Sequence, residues 1–226
     1  MSSEHRSIRA GSKKEAVAIG FRLVDRDIDI FREIERWRVV TGKHIGVLAD
    51  FSGQRSCDRR LKKLIEAGYL ERKKILYGVP GIYRLTHPAR ILIGVSERQD
   101  RIRLEQISHD IEVLNTAIWI HQSRAIPFSE MQTEKQLHSL DGFSNRRHRP
   151  DFIFAQDGKT ICVEVELSLK SKERLQKNIK LDFETYDAQI WIVPDRHSKI
   201  TAILQENQNR YPGIEIIEIE EVKNHA

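Results

Sequence analysis

The chain has 226 residues, with 38 Lys and Arg against 33 Asp and Glu, a formal net charge of +5 and 39% hydrophobic residues. That length supports one large domain or two small ones with proper cores, and a charged fraction of 31% suits a globular protein with a heavily charged surface. No run of about 18 apolar residues exists, which excludes a helical membrane span. The opening MSSEHRSIRAGSKKEA is polar and basic without an apolar core, so residues 1–20 read as a disordered basic arm rather than a secretory signal. Cys57 and Cys162 stand far apart without zinc-ligand spacing and fit a reduced, cytoplasmic setting. Residues 1–95 hold 20 Lys and Arg against 11 Asp and Glu, whereas residues 96–226 hold 18 against 22. All of the excess positive charge therefore lies in the first part, the pattern of a basic nucleic-acid-binding module joined to a second unit with another task.

From Asp25 the pattern is helical, with Ile28, Phe31, Ile34 and Trp37 on one face. Asp25 or Asp27 is placed to cap its start and Thr41-Gly42 to stop it. A short second helix fits His44–Asp50. Ser56 is a candidate N-cap for a third helix through about Ala67, with Leu61, Leu64 and Ile65 inward and Arg55, Arg59, Arg60, Lys62 and Lys63 on its other faces. Gly68 is placed to end it. Tyr69–Lys74, the turn Tyr77–Gly81 and a return strand Ile82–Leu85 follow, and residues 88–97 read as a connection. The longest helical pattern runs from Glu97 to about Gln122, where Leu104, Ile107, Ile111, Leu114 and Ile118 form an apolar stripe. Glu105, His109 and Glu112 share the flank of that stripe, and His109 is the one chosen as able to orient a bound water or a phosphate.

A strand is expected over Ser129–Gln136, then a polar loop to Arg149. The stretch RPDFIFAQDGKTICVEVELSLK, residues 149–170, reads as a hairpin turning at Asp157-Gly158. In its second strand Glu164 and Glu166 alternate with Val163, Val165 and Leu167, which puts the two carboxylates on one side, about 7 Å apart. With Asp151 at the start of the first strand, three acids crowd one patch of sheet. Such a patch is either a solvated edge or the oxygen cage of a divalent metal. Further on, Lys172–Asp182 reads as a basic helix, Gln189–Val193 as a buried strand, His197–Gln208 as a helix and Ile214–Ile219 as a last strand before a frayed tail.

Three helices followed by a basic hairpin make a winged helix-turn-helix pattern, and LKKLIEAGYLERKK resembles the recognition helix and wing entry of winged-helix DNA-binding proteins. On that reading a helix enters the major groove, while the third-helix cations, Lys73 and Lys74 meet phosphates. From Glu97 onward, the element order and the pattern PD-(x)12-E-x-E resemble the PD-(D/E)XK nuclease superfamily. The match departs at Glu166, where that motif has Lys. The combination of a winged helix, SHDIEVL and RPD…VEVELS-x-K resembles the replication-relaxation family of mobile elements, and within it plasmid mobilization relaxases of the MobC type.

The resemblance implies an α/β (α+β) chain, with a winged-helix domain over residues 21–95 and a restriction-endonuclease-like mixed-sheet domain over residues 96–226. It implies a metal-dependent DNA endonuclease that nicks DNA at a transfer origin, with relaxosome accessory and coupling proteins as partners. Asp151 and Glu164 would bind Mg²⁺ or Mn²⁺, with Glu166 as third ligand or base. Lys170, Arg146, Arg147 and Arg149 are the candidates for the missing cation, and the three arginines also for DNA contacts. Water is the simplest nucleophile and Tyr186 the alternative. The competing expectation is a non-catalytic winged-helix regulator, or replication accessory protein, with a degenerate nuclease-like domain.

Overall fold

The computed structural model describes residues 21–225 apart from 76, 79, 96–102, 142–146 and 170, and the expected N-terminal arm lies outside that range. The fold is mixed α and β. In the first unit, α1 (Asp25–Arg36) forms because Ile30, Phe31 and Ile34 recur at helical spacing and are buried. Asp27 fixes its start, accepting a hydrogen bond from the Val24 amide at 2.8 Å. Thr41 does not stop α1. It lies in β1 (Val40–Thr41) and caps α2 (Gly42–Leu48), its hydroxyl accepting from the His44 amide at 3.3 Å.

Helix α3 (Gln54–Glu66) begins at Gly53 rather than Ser56, whose hydroxyl turns back to donate to the Gly53 carbonyl at 2.6 Å. Gly68, at φ +79, ends it in the left-handed conformation that its position predicts. Strands β2 (Leu70–Lys73) and β3 (Ile82–Leu85) pair antiparallel, and β1 joins the free side of β3. The stretch read as a connection contains α4 (His87–Leu92), which carries Pro88 in its first turn, where a missing amide costs nothing.

The second unit opens with a 3₁₀ turn at Leu104–Gln106 and α5 (Ile107–Arg124). Leu104, the head of the expected stripe, is exposed, whereas Ile107, Leu114 and Ile118 are buried. Strand β4 (Met131–Thr133) is shorter than the sequence suggested. A reciprocal cap explains why: the Thr133 amide donates to the Gln136 side chain at 3.0 Å and the Gln136 amide to the Thr133 hydroxyl at 3.4 Å. That cap starts α6 (Glu134–Asp141) where strand and loop were expected.

Strands β5 (Phe152–Gln156) and β6 (Lys159–Val165) form the hairpin, followed by α7 (Lys172–Thr185), β7 (Ala188–Val193), α8 (Lys199–Gln208) and β8 (Ile214–Glu218). The expected frayed tail is α9 (Ile219–His225), which packs on α5 and buries Val222 completely. The sheet order is β4-β5-β6-β7-β8, antiparallel from β4 to β6 and parallel from β6 to β8. One face, with Phe152, Val163, Ile190 and Ile192, packs on α5. The opposite face, with Trp191 and Val193, packs on Leu175, Ile179 and Leu204 of α7 and α8.

The two units share a core. Ile30, Phe31 and Trp37 belong to the same buried cluster as Leu114, Phe152 and Val163, and the Trp37 ring meets Phe152 edge-on at 5.9 Å. Polar contacts reinforce the join. Arg36 donates to the Phe128 and Met131 carbonyls, Lys135 to the Glu35 carbonyl at 2.8 Å, and Arg38 pairs with Glu134 at 3.1 Å. Nearby, His44 Nε2 lies 3.0 Å from Asn115 Oδ1 on α5. A smaller cluster of Val39, Ile82 and Ile107, with Ile75 and Ile111 against it, seats the β2–β3 hairpin on the first turns of α5. No helix among the described residues is long and apolar enough to cross a membrane.

Candidate metal centre

The β5–β6 hairpin turns at Asp157 (φ +52) and Gly158 (φ +74), two consecutive left-handed residues as the Asp-Gly pair predicts. Register pairs Phe152 with Val163. Prolines flank the far end of β6: Pro150 lies just before β5 and Pro194 just after β7. Neither has an amide hydrogen to give, so both ladders end there. Asp151 fills the gap. Its Oδ2 accepts from the Val165 amide at 2.8 Å, and its Oδ1 lies 3.0 Å from Nε2 of His109 on α5. Sequence reasoning placed these two residues at one site, and the structure brings them into contact.

Glu164 does not face water. Even-numbered residues of β6 point towards α7, so Cys162 and Glu164 are both buried. Nε2 of His148 lies 2.7 Å from Glu164 Oε1 and 3.3 Å from Oδ1 of Asp182, which sits 1% exposed on α7. These are ion-pair distances without hydrogen-bond alignment: His148 Nε2, Glu164 Oε1 and Asp182 Oδ2 are all buried with no hydrogen bond among the described residues. Ligand atoms of the three residues lie within 4.8 Å of one another.

Burial raises the Glu164 carboxyl, and the fields of Asp151 and Asp182 add to that rise against the pull of His148. Asp182 is raised for the same leading reason. Burial works against a proton on His148, but its contacts with Asp182 and Glu164 outweigh burial and raise it. His109 follows the same logic. Burial lowers it, but the hydrogen bond to Asp151 and the charges of Asp151, Asp110 and Glu164 lift it to about 9.

Of the acids expected to form a metal trio, Glu164 alone belongs to this cluster. Asp151 is engaged with His109 and the Val165 amide. Glu166 lies beyond the end of β6, half-buried, with its amide donating to the Ile192 carbonyl at 3.0 Å. Sequence reasoning misses His148 and Asp182. For Asp182 a signal existed: it stands at the i+7 position of the apolar stripe Leu175–Ile179, where an acid is out of place. His148 is hidden among arginines. Tyr186 closes α7 one turn beyond Asp182.

No protein-family model matches the chain, and no curated protein matches it significantly. The case for function therefore rests on the residues themselves.

Among the expected DNA contacts, Arg55, Arg59, Lys62 and Lys63 are exposed on α3, and Lys73 and Lys74 are exposed on the hairpin. Arg60 is not free to bind phosphate. Its guanidinium grips the fully buried Asp27 through two contacts, one of them Nε to Oδ1 at 2.7 Å, and also donates to the Arg22 carbonyl at 3.0 Å. Arg147 is exposed and Arg149 half-buried, while Arg146 and Lys170 lie outside the described residues.

One imidazole and two carboxylates, whose converging atoms are buried and lack hydrogen bonds among the described residues, are a donor set that fits a divalent cation. Without one, the two buried acids are balanced by His148 alone among the described residues.

Proposed function

We propose that the chain is a DNA-binding, divalent-metal-dependent endonuclease of the kind its sequence resembles, a mobilization relaxase that nicks DNA at a transfer origin. In this reading the first unit is a winged helix-turn-helix and the second a PD-(D/E)XK-like nuclease domain. The observation that carries the proposal is the converging donor set of His148, Glu164 and Asp182, whose facing atoms are buried, beside the His109–Asp151 pair at one end of a mixed sheet. Exposed cations on α3 and on the β2–β3 hairpin support the DNA-binding half.

Mg²⁺ or Mn²⁺ at the cluster would polarise the scissile phosphate and acidify an attacking water. The rest of the chemistry falls to the chain. His148, Glu164 and Asp182 would hold the ion. Asp151 orients the His109 imidazole through Oδ1. A protonated His109 supplies positive charge beside the phosphate, the task that a lysine performs in the motif and that Glu166 cannot. It could then hand its proton to the departing deoxyribose oxygen as hydroxide adds to phosphorus and the P–O bond breaks, the attacking water having released its own proton to solvent.

The test uses supercoiled plasmid bearing a site that the full-length protein selects from random DNA, incubated with Mn²⁺ or Mg²⁺. Wild type should convert it to nicked or relaxed circles, while Glu164→Gln and Asp151→Asn should still shift the DNA in a gel and leave it supercoiled. Plasmid left intact by wild type under every metal, with binding retained, would replace the proposal with its rival. That rival is a non-catalytic DNA-binding regulator, favoured by one feature: Glu166 stands where the nuclease motif has its lysine.

A further inference from the structure

We infer that the ion held here is a transition metal that accepts an imidazole ligand, Zn²⁺ or more weakly Mn²⁺, rather than Mg²⁺, and that its ligands come from three separate elements: His148 before β5, Glu164 on β6 and Asp182 on α7. This builds on the reading of the cluster as a metal centre and replaces the ligand set Asp151–Glu164–Glu166 that the sequence suggested.

Three observations point the same way. The first is geometric: ligand atoms of His148, Glu164 and Asp182 all lie within 4.8 Å of one another, so that an ion among them needs to draw them together by only a few tenths of an ångström to reach bonding distances of about 2.0–2.2 Å. The second is the state of those atoms. Asp182 is 1% exposed and Glu164 9%, and Asp182 Oδ2, Glu164 Oε1 and His148 Nε2 are all shielded from water without a hydrogen bond. Among the described residues the two acids are compensated by ion pairing with His148 alone, and a cation bonded to all three residues would compensate them more fully.

The third observation is charge. Two carboxylates balance one divalent cation, which makes the buried centre neutral with a neutral imidazole completing it.

The donor types then choose the metal. Mg²⁺ needs a nearly regular octahedron of oxygens and gives up its water reluctantly, so a buried imidazole is a poor ligand for it. Imidazole suits the later first-row ions, and affinity for such a mixed site rises from Mn²⁺ towards Zn²⁺. Asp182 is also set firmly in place. It sits on α7 in line with Leu175 and Ile179, which pack against Trp191, so the helix cannot turn its carboxylate away without uncovering that core.

Metal-stripped full-length protein is titrated with Mn²⁺ while the free-ion electron paramagnetic resonance signal is followed. One Mn²⁺ per chain should disappear from the free pool, be displaced by an equivalent of Zn²⁺, and resist a large excess of Mg²⁺. The bound Mn²⁺ should carry a ¹⁴N coupling that is absent from His148→Gln. Asp182→Asn should weaken Mn²⁺ binding by about 100-fold or more, a loss beyond that of removing an outer partner, whereas Glu166→Gln should leave it within about threefold. Circular dichroism of the metal-free variants separates a lost ligand from a lost fold.

The inference is overturned if no ion binds stoichiometrically, if bound Mn²⁺ shows no ¹⁴N coupling, if Mg²⁺ competes at equal concentration, or if Glu166→Gln costs as much as Asp182→Asn. In the first case His148 is simply a cation clamped between two acids. Nitrogen-coordinated Mn²⁺ without plasmid cleavage would refute the nuclease proposal alone, and cleavage without nitrogen coordination would refute this inference alone.

Discussion

Removing Arg60 tests stability where the sequence pointed to DNA. Asp27 is fully buried in the first turn of α1, and Arg60 is its charge partner, with Nε at 2.7 Å from Oδ1 and Nη2 on Oδ2. The same guanidinium lies over the Phe21 ring at 4.8 Å and donates to the Arg22 carbonyl at 3.0 Å, tying the segment before α1 to α3. In Arg60→Ala the carboxylate keeps only the Val24 amide, at 2.8 Å. Breaking a buried pair from one side costs about 3–5 kcal/mol, because the remaining charge is stranded out of water. Domains of this kind have a total stability of about 5–15 kcal/mol. With a urea slope of about 3 kcal/mol per M, the midpoint should fall by about 1–1.7 M. Lys62→Ala, on the exposed face of the same helix, should shift it by less than about 0.2 M. Replacing both partners, Asp27→Leu with Arg60→Met, should recover more than half of the loss, since neither charge then remains buried. A midpoint for Arg60→Ala within 0.3 M (about 1 kcal/mol) of wild type would refute the reasoning.

Other outcomes follow from the same geometry. His44 is buried against Asn115, and burial, aided by the charge of Lys43, outweighs that hydrogen bond and pushes its imidazole down to about 4. The unfolded chain therefore takes up this proton first. Stability is intact above pH 6.5 and falls as pH drops from 6.5 to 4, by about 3 kcal/mol in all. In denaturant melts across that window, His44→Gln should flatten the fall, and an unchanged slope would show that His44 is not the group responsible. Reversing charge at Lys73 and Lys74 should weaken DNA binding at least about tenfold at low salt and make the salt slope shallower by about 2, with Mn²⁺ affinity unchanged. Equal gel-shift affinities would remove the β2–β3 hairpin from the DNA interface. Trp37→Ala should cost about 3–5 kcal/mol and still give one unfolding transition by fluorescence and circular dichroism. Two separated transitions would mean that the units fold independently.

Much of the second unit was readable from local chemistry. Asp157-Gly158 announced its hairpin, Ser171 and Ser198 stand ahead of α7 and α8 as caps, and the apolar runs of β6 and β7 marked central strands. The errors came from partners distant in sequence. Alternation along β6 suggested that Glu166 would join Glu164, but the strand ends where its neighbours run out of amide donors, at Pro150 and Pro194. Asp27 and Asp182 look like ordinary helix charges until their place on an apolar stripe is noticed. Each is buried where a nitrogen group from another element reaches it, Arg60 in one case and His148 in the other. The reciprocal cap of Thr133 and Gln136 was visible in the sequence as T-x-x-Q, and it outcompeted the strand reading.

The shared core has a consequence for how such a protein measures distance. Tandem modules on a flexible tether can act anywhere within the tether's reach, and either module can be exchanged for another. Here Trp37 lies against Phe152, His44 against Asn115, and the β2–β3 hairpin sits on Ile107 and Ile111, the residues on either side of His109. If the hairpin and α3 grip DNA, the spacing between the grip and the acid cluster is set by packing rather than by a linker. The molecule then behaves as a ruler with one graduation. Moving the grip by a few base pairs moves the point of action by the same number. A foreign reading head grafted onto the second unit would bring no counterpart to Trp37, and the ruler would lose its zero.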